Sequence, residues 1–343
     1  MKIIKNLLVI FIVSCISIFL TCGKQQTAFE ATNIIMGTIV SQRIYGDNSN
    51  AAATEATEKI RSLEGRLSFF KPESEISRLN SSAGRTKIKL SPDTFFILSK
   101  SIEYSHLSGG MFNIMVGPLV KRWKVTGDNP VIPSPSEVRS LVALINYRDL
   151  ILNKNELTAR LSKKGQKVDL GGIAKGFAAD EVLKIYRKHG IKSAIIDIGG
   201  NVSVLGYKPD GSPWAIGIQD PSKKRGNYIC SIMLNNKSLS TSGAYERFFE
   251  KDGKVYHHII DPTTGYPSKS DLQSVTIIGE NSVDTDALST ATFILGLEKG
   301  LSLIKKTECE AVFITVDNKI HATEKLKDMI DCDVSIEFHS KKK

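Results

Sequence analysis

A glycine-rich turn at residues 168–176 limits the possible folds of this chain more than any other stretch. It reads Val-Asp-Leu-Gly-Gly-Ile-Ala-Lys-Gly. Apolar residues then recur at three- and four-residue spacing as far as Tyr186, and Gly190 ends this run, so the pattern predicts a helix. A turn before a helix N-terminus can offer backbone N–H groups to an anion. A plain strand–turn–helix joint explains the same residues, because neither a dinucleotide fingerprint nor a P-loop is present.

Two charged residues of this turn are suited to a ligand. Lys175 would add a positive charge beside the helix N-terminus, and Asp169 can accept a hydrogen bond from a hydroxyl or a ring N–H. The glycines would let a ligand approach the backbone closely.

Helical and extended patterns alternate along the chain, and several of the predicted strands follow one another directly. This order predicts an α+β fold with mixed sheets and packed helices, not a purely parallel sheet. The predicted helices cover 51–67, 92 to near 109, 134–144 and 284–297, and the main predicted strands cover 34–45, 194–198, 202–205, 215–218, 228–234, 274–278 and 311–316. We expect one domain over residues 33–335 and a basic tail over residues 336–343.

The first residues have the pattern of a secretion signal. Lys2 and Lys5 precede an apolar run over residues 7–20, which is short for a membrane-spanning helix of about 20 residues. Cys22 follows at the end of this run, as in a bacterial lipoprotein signal, so we expect residues 1–22 to be a signal peptide and Cys22 to carry the lipid. Cys15 and an uncleaved anchor helix remain the alternatives, and residues 23–32 are predicted to form a tether.

Charge and cysteine content exclude several classes of protein. The net charge is +10, which suits anionic ligands or an anionic membrane surface. The basic residues are dispersed and are not interleaved with aromatic residues, so we expect no nucleic-acid partner. Cys230, Cys309 and Cys332 are widely spaced, which argues against a disulfide scaffold and against zinc. A Cys309–Cys332 pair stays possible in an oxidising compartment.

A later helix has hard oxygen ligands at helical spacing. Asp286 and Thr290 are four residues apart and therefore share one face of the predicted helix. A carboxylate and a hydroxyl suit Mg²⁺ or Ca²⁺. The alternative is an Asp that caps the helix and a Thr whose hydroxyl bonds back to its own backbone.

Two adjacent histidines lie where a strand runs into a Pro/Gly turn at residues 256–267. Neighbouring side chains of a strand point to opposite faces, so at most one of His257 and His258 should face a site. Histidine is the usual general base near neutral pH. The residues 240–247 are predicted to form a hydroxyl-rich turn, and Gly199 and Gly200 a turn that allows close backbone approach.

Taken in order, these stretches resemble the conserved blocks of the ApbE family, the FAD:protein FMN transferases, which are usually bacterial lipoproteins. The resemblance extends over roughly residues 30–325 and rests on eight ordered blocks: Met36–Thr38, Ser74–Asn80, Val116–Val120, Val168–Gly176, Asp197–Asn201, Ser242–Arg247, His258–Gly265 and Asp286–Ala291.

The resemblance implies an activity, a metal and a binding site. Members of the family bind FAD and Mg²⁺ and move the FMN half of FAD onto a Thr or Ser hydroxyl, releasing AMP; some hydrolyse FAD to FMN and AMP instead. By this resemblance the carbonyl of Gly172 and the side chains of Asp286 and Thr290 hold the metal, with Ser289 where some members carry a second Asp. The residues expected to contact FAD are Met36, Phe70, Met111, Phe112, Asn113, Asp169, Lys175 and Ile260.

Three positions bear on details of this chemistry. Phe70 replaces a Tyr of some relatives and can stack on a ring without offering a hydroxyl. Lys175 stands where some relatives carry Glu, which suggests a phosphate as its partner. We expect His258 to take the proton of the acceptor hydroxyl, and Asp284 and Asp286 are the alternative bases. His258 is preferred because an ionised, metal-bound Asp is a poor base.

The resemblance also implies a location and a class of partner. We expect a lipid-anchored protein on the periplasmic side of the inner membrane. Its acceptors would be flavoproteins such as subunits of Rnf or of Na⁺-translocating NADH:quinone reductase. A periplasmic lipoprotein that binds or stores FAD without chemistry, and a purely structural surface lipoprotein, are the alternatives.

Overall fold

The computed structural model describes residues 27–341. The predicted signal peptide, with Cys15 and Cys22, lies outside this range. Seventeen strands follow the chain as β1 Phe29–Ile35, β2 Thr38–Tyr45, β3 Ile88–Lys89, β4 Leu150–Asn153, β5 Thr158–Leu161, β6 Ser193–Ile198, β7 Asn201–Leu205, β8 Trp214–Gln219, β9 Tyr228–Leu234, β10 Ser238–Gly243, β11 Phe248–Lys251, β12 Lys254–His257, β13 Leu272–Gly279, β14 Glu310–Thr315, β15 Ile320–Thr323, β16 Ile330–Cys332 and β17 Ile336–His339.

Seven α-helices alternate with these strands. They are α1 Ser49–Leu67, α2 Glu75–Ser81, α3 Pro92–Leu107, α4 Gly117–Trp123, α5 Pro135–Val142, α6 Ala174–Lys188 and α7 Ser282–Ile304. Two of these helices start with well-known capping patterns. The Ser91 side chain accepts a hydrogen bond from the Thr94 N–H, with Pro92 in the first turn, and Ser134 and Glu137 form a capping box.

A nine-stranded sheet organises the molecule, in the order β1-β2-β6-β7-β10-β13-β14-β15-β17. Its neighbours are antiparallel except β15 and β17, which pair in parallel. Smaller sheets join β11-β12, β16-β9-β8 and β3-β5-β4. This arrangement confirms the predicted α+β class with mixed sheets.

Two buried clusters lie on the large sheet. The larger cluster joins the apolar faces of α1, α6 and α7 to the sheet. The second lies between the sheet and the strands β8, β9 and β16. By length and hydropathy alone α7 would suit a membrane span, but it packs against β10, β13 and α6, so it is a core helix.

The cysteines pair differently from the sequence-based alternative. Cys230 of β9 and Cys332 of β16 form a disulfide, and these residues are direct partners in the strand register. Cys309 is buried and is the free cysteine of the described residues. The possible Cys309–Cys332 pair is therefore wrong, because β16 carries Cys332 to the smaller sheet.

Several predicted boundaries need correction. Residues 34–45 are not one strand: they include the end of β1, the turn at Met36 and Gly37, and β2, and β1 begins at Phe29, inside the predicted tether. Residues 117–123 form α4, which starts at a Gly-Pro pair, where proline suits a first turn. Residues 336–339 form β17 at the sheet edge, so the basic tail does not begin at residue 336.

The largest correction concerns the hydroxyl-rich turn predicted at residues 240–247, because residues 238–243 are a strand. They form β10 in the middle of the large sheet. Ser240 Oγ lies 2.7 Å from Thr285 Oγ1, and Ser242 Oγ lies 2.9 Å from Ser289 Oγ. Because α7 satisfies these hydroxyls, a polar strand can be buried there at little cost.

Candidate active site

Hydrogen bonds from two other segments hold Val168 and Asp169, the first residues of the glycine-rich loop. Asn80 of α2 binds both backbone groups of Val168: its amide donates to the carbonyl at 2.9 Å, and its oxygen accepts from the N–H at 2.6 Å. The N–H of Asp169 donates to the carbonyl of Ile114 at 2.7 Å. These bonds fix the loop before it turns into α6.

The N-terminus of α6 meets the carboxylate of Asp286. Asp286 Oδ2 accepts from the Gly176 N–H at 2.9 Å, and Oδ1 lies 3.3 Å from Lys175 Nζ. A Cβ at position 176 would lie 2.2 Å from the Ser282 carbonyl, so glycine is needed for this close approach. The sequence predicted that this helix N-terminus binds an anion. In the structure the Asp286 carboxylate accepts from one of its N–H groups.

A second contact holds the two helices in this register. The carboxylate of Asp180, on α6, accepts from the N–H groups of Ser282 and Val283 at 2.7 and 2.9 Å. Burial raises the pKa of Asp180 to about 6, although these two hydrogen bonds lower it. Asp180 thus caps α7 and fixes the position of Asp286 relative to Gly176.

Thr290 lies directly against the turn of the loop. A Cβ built on Gly172 would be 3.0 Å from Thr290 Oγ1 and 3.4 Å from the ring of Phe112. A side chain at position 172 would force Thr290 or Phe112 to shift by a few tenths of an ångström, so glycine favours this close approach. The structure thus brings together Gly172, Thr290 and Asp286, three residues far apart in the sequence.

Ser289 is directed away from this group. Its hydroxyl donates to the Asp286 carbonyl at 2.8 Å and bonds Ser242 of β10. The first contact lies within α7, and the second joins α7 to the sheet. We therefore assign Ser289 to helix–strand packing and not to the metal ligands that the resemblance suggested.

The donor set around Asp286 fits a hard divalent cation. It combines a carboxylate, a hydroxyl and backbone carbonyls, all oxygen ligands of the kind Mg²⁺ prefers. The ammonium of Lys175 already lies between Asp286 Oδ1 and the carbonyl of Gly171, which it contacts at 3.2 Å. A cationic group is thus attracted to these oxygens in this structure.

His258 has a defined tautomer and a free acceptor nitrogen. Its Nδ1 lies 3.2 Å from the carbonyl of Arg247; because a carbonyl can only accept, Nδ1 carries the proton and Nε2 keeps its lone pair. Burial lowers the pKa of His258 to about 4, helped by the positive charges of Arg247 and Lys175, while the Arg247 carbonyl raises it. The imidazole is therefore neutral at physiological pH.

The neighbouring histidine has a structural role. His257 is buried, with Nε2 2.9 Å from the carbonyl of Ser268 and its ring edge-to-face with Phe293. β12 ends at His257, so His258 lies just beyond the strand, and the positive charge of Lys175 helps to lower its pKa.

The β1–β2 turn closes the same region. Met36 adopts a left-handed conformation with φ 56°, and its N–H donates to Glu64 Oε1 at 2.7 Å. Arg247 donates to the Gly37 carbonyl at 3.2 Å. Arg247 thus connects this turn, which carries Met36, to His258.

The remaining predicted FAD contacts lie at different depths. Phe112 is buried beside Gly172, Met111 is half-buried before it, and the Asn113 side chain caps the following turn by accepting from Met115. Asp169 accepts from the Gly171 N–H at 2.8 Å, and burial raises its pKa.

Phe70 and Ile260 are not in contact with this group in the structure. Phe70 is 74% exposed on a loop whose Lys71 pairs with Glu64, the residue that binds the Met36 turn. Ile260 is buried in a separate cluster with Leu119 and Trp123.

Asp284 does not belong to the site. It interacts with the Tyr104 hydroxyl and Asn281 on the other side of α7. Two residues along a helix are about 200° apart, so Asp284 and Asp286 face opposite ways. Asp284 as a rival base is therefore wrong.

Sequence reasoning missed the role of Asn80 and of Ser242. Asn80 shares the spacing of Ile76 and Leu79 on the buried face of α2. A polar side chain at a core position of a short helix was the signal that could have identified it.

Comparisons with known proteins identify the family of this chain. The model of the ApbE family matches residues 36–313. A Treponema pallidum FAD:protein FMN transferase is 33% identical over 330 residues, 90% of this chain and 91% of that protein. A Klebsiella pneumoniae protein of the same name is 34% identical over 298 residues, 87% and 92% of the two chains.

Solved structures show the same fold. The ApbE protein of Thermotoga maritima superposes with a TM-score of 0.82 at 30% identity, covering 88% of this chain and 99% of that one. The flavin transferase ApbE of Vibrio cholerae gives a TM-score of 0.80 at 27% identity, covering 89% and 99%. The family that eight ordered blocks suggested is thereby established: this chain is a member of the ApbE family.

Proposed function

We propose that this protein is a Mg²⁺-dependent enzyme that transfers the FMN half of FAD to a Thr or Ser hydroxyl of a target protein and releases AMP. The relatives described above are named for FMN transfer from FAD to protein. The observation that carries the proposal is a neutral histidine, His258, whose Nε2 is unprotonated and whose pKa is lowered by burial and by charges that include that of Lys175, the partner of Asp286.

The reaction needs a balanced exchange at phosphorus. The acceptor oxygen forms a bond to the phosphorus of the FMN half, and the bond from that phosphorus to the bridging oxygen breaks. AMP leaves with the bridging oxygen. The proton of the acceptor hydroxyl passes to Nε2 of His258, which is unprotonated because Nδ1–H is held by the Arg247 carbonyl.

The metal ligands would be the Gly172 carbonyl, Asp286 and Thr290. A bound Mg²⁺ would neutralise charge on the diphosphate as the transfer proceeds. Lys175 adds a positive charge from the same side, and its ammonium is suited to pair with a phosphate oxygen.

The other residues would position the flavin nucleotide. Met36 sits in a fixed turn, Phe112 borders Gly172, and the exposed ring of Phe70 is suited to stack on an aromatic surface. Asp169 and Asn113 offer carboxylate and amide groups on the loops that flank Gly172.

The proposal extends to the cellular location of the protein and to the class of its acceptor proteins. We place the protein on the periplasmic side of the inner membrane, held by a lipid on Cys22, with acceptors among flavoproteins such as Rnf or Na⁺-translocating NADH:quinone reductase subunits. Mass spectrometry of the mature N-terminus should find a diacylglycerol-modified Cys22. A mature chain that begins at Cys15, or an uncut Met1, would contradict this anchor.

The decisive experiment measures AMP release from FAD in the presence of Mg²⁺, with and without an acceptor peptide that carries a Thr. We expect AMP in step with covalent flavin on the peptide, visible as fluorescence after denaturation. AMP without acceptor would identify hydrolysis as a second activity. FAD that binds but yields no AMP under either condition would overturn the enzyme and favour a storage lipoprotein.

A further inference from the structure

Two histidines and a glutamate meet at the far edge of the large sheet, outside the site described above. His321 lies on β15, and Glu337 and His339 lie on β17. One donor atom from each of the three lies within 4.8 Å of the others. They come together because β15 and β17 pair in parallel, with His321 opposite Glu337 and His339 two residues further on the same face.

The distances match the coordination geometry of zinc. His321 Nδ1 lies 3.1 Å from His339 Nε2, and the two oxygens of Glu337 lie 3.4 and 3.7 Å from these nitrogens. A tetrahedral Zn²⁺ with bonds of about 2.0–2.2 Å has donor–donor edges of about 3.3–3.6 Å. Small side-chain shifts would therefore place all three donors around one ion.

The chemistry of the donors distinguishes this group from the Asp286 site. Two imidazoles with one carboxylate are a known zinc set, whereas Mg²⁺ prefers oxygen ligands alone. The widely spaced cysteines argued against zinc, but a His–Glu set does not depend on them. His321 is buried and Glu337 is exposed, so the group is reachable from solvent.

The strand that carries two of the ligands lies at the edge of the sheet, where Ile336 and Phe338 are only partly buried against the core. The four residues of β17 are half-buried or exposed, so it contributes no fully buried side chain to the core. The Cys230–Cys332 disulfide fixes the chain only four residues before β17 begins. A metal between β15 and β17 would fasten the last strand to the sheet.

We propose that His321, Glu337 and His339 bind a Zn²⁺ ion that holds β17 on the edge of the sheet. This site is independent of flavin transfer. Water would complete the coordination, because three protein ligands leave one position of a tetrahedron open.

The test titrates Zn²⁺ into the purified full chain after metal removal, against a chromogenic chelator and with excess Mg²⁺ present to occupy the oxygen site. We expect one tight Zn²⁺ per chain. His321→Ala and His339→Ala should each weaken its affinity by at least ~100-fold. His106→Ala, an exposed histidine elsewhere, and Asp286→Asn should leave the affinity unchanged.

Two further measurements guard against a simple loss of folding. Glu337→Gln changes an exposed side chain, so it should fold normally and still weaken Zn²⁺ binding. Co²⁺ should give the visible absorption of tetrahedral coordination in the unmodified chain, and Zn²⁺ should slow hydrogen exchange at residues 336–339. Zn²⁺ affinity that is equal in the unmodified chain and in all three ligand variants would overturn the site.

Discussion

Replacing Asp286 by Asn should reduce Mg²⁺-dependent AMP release from FAD by at least ~10³-fold. Asn has nearly the same shape and can still accept from the Gly176 N–H, which Asp286 binds at 2.9 Å. What it loses is the negative charge that attracts a cation. A bound divalent ion contributes several kcal/mol to the transition state, at about 1.4 kcal/mol for each factor of ten in rate.

Asp284→Asn is the matched control for this variant. It makes the same chemical change two residues away on the same helix, but on the face that contacts Tyr104. We expect AMP release close to that of the unmodified protein. If Asp286→Asn releases AMP at the normal rate in Mg²⁺, or if both variants lose activity equally, the metal assignment is wrong. Thermal unfolding of both variants shows whether the helix is intact.

The elements that could be predicted are those whose signals are local. The three- and four-residue spacing of apolar residues after Ala174 belongs to α6 itself, and the capping box at Ser134 lies within one turn of α5. β10 could not be predicted in the same way. Its Ser-Leu-Ser-Thr-Ser-Gly sequence is polar, and only the hydroxyls of α7, more than 40 residues later, explain its burial.

The disulfide and the last strand show the same limit. Cys230 and Cys332 are 102 residues apart, and their pairing depends on the register of β9 with β16. β17 has four residues and joins the sheet in parallel at its edge. Short edge strands of this kind carry too few residues for a periodic signal.

The site was only partly visible in the sequence. The four-residue spacing of Asp286 and Thr290 is local, but their contact with the glycine-rich loop joins residues more than 100 positions apart. Side-chain alternation along the predicted strand indicated that at most one of His257 and His258 faces the site, but it did not show which one. The carbonyl of Ser268 decides this by engaging His257. The resemblance to the family indicated the role of each site residue, and only the folded structure shows which groups each side chain contacts.

Replacing His258 by Ala should lower the rate of FMN transfer by ~10²–10⁴-fold while FAD binding stays nearly unchanged. The reason is the loss of the free Nε2 that takes the acceptor proton. Flavinylation of a Thr-containing peptide measures the rate, and quenching of flavin fluorescence measures binding. His106→Ala, which removes an exposed histidine, should behave like the unmodified protein.

The pH dependence separates a base from a residue that only fills space. The pKa of His258 is about 4, lowered mainly by burial. Below this pH Nε2 is protonated and cannot accept, so kcat/KM should have an acid limb at about pH 4 that depends on His258. His258→Ala should lose this acid limb together with the rate, whereas a structural histidine would leave the profile in place. An unchanged rate, or an unchanged acid limb in a folded His258→Ala variant, would exclude His258 as the base.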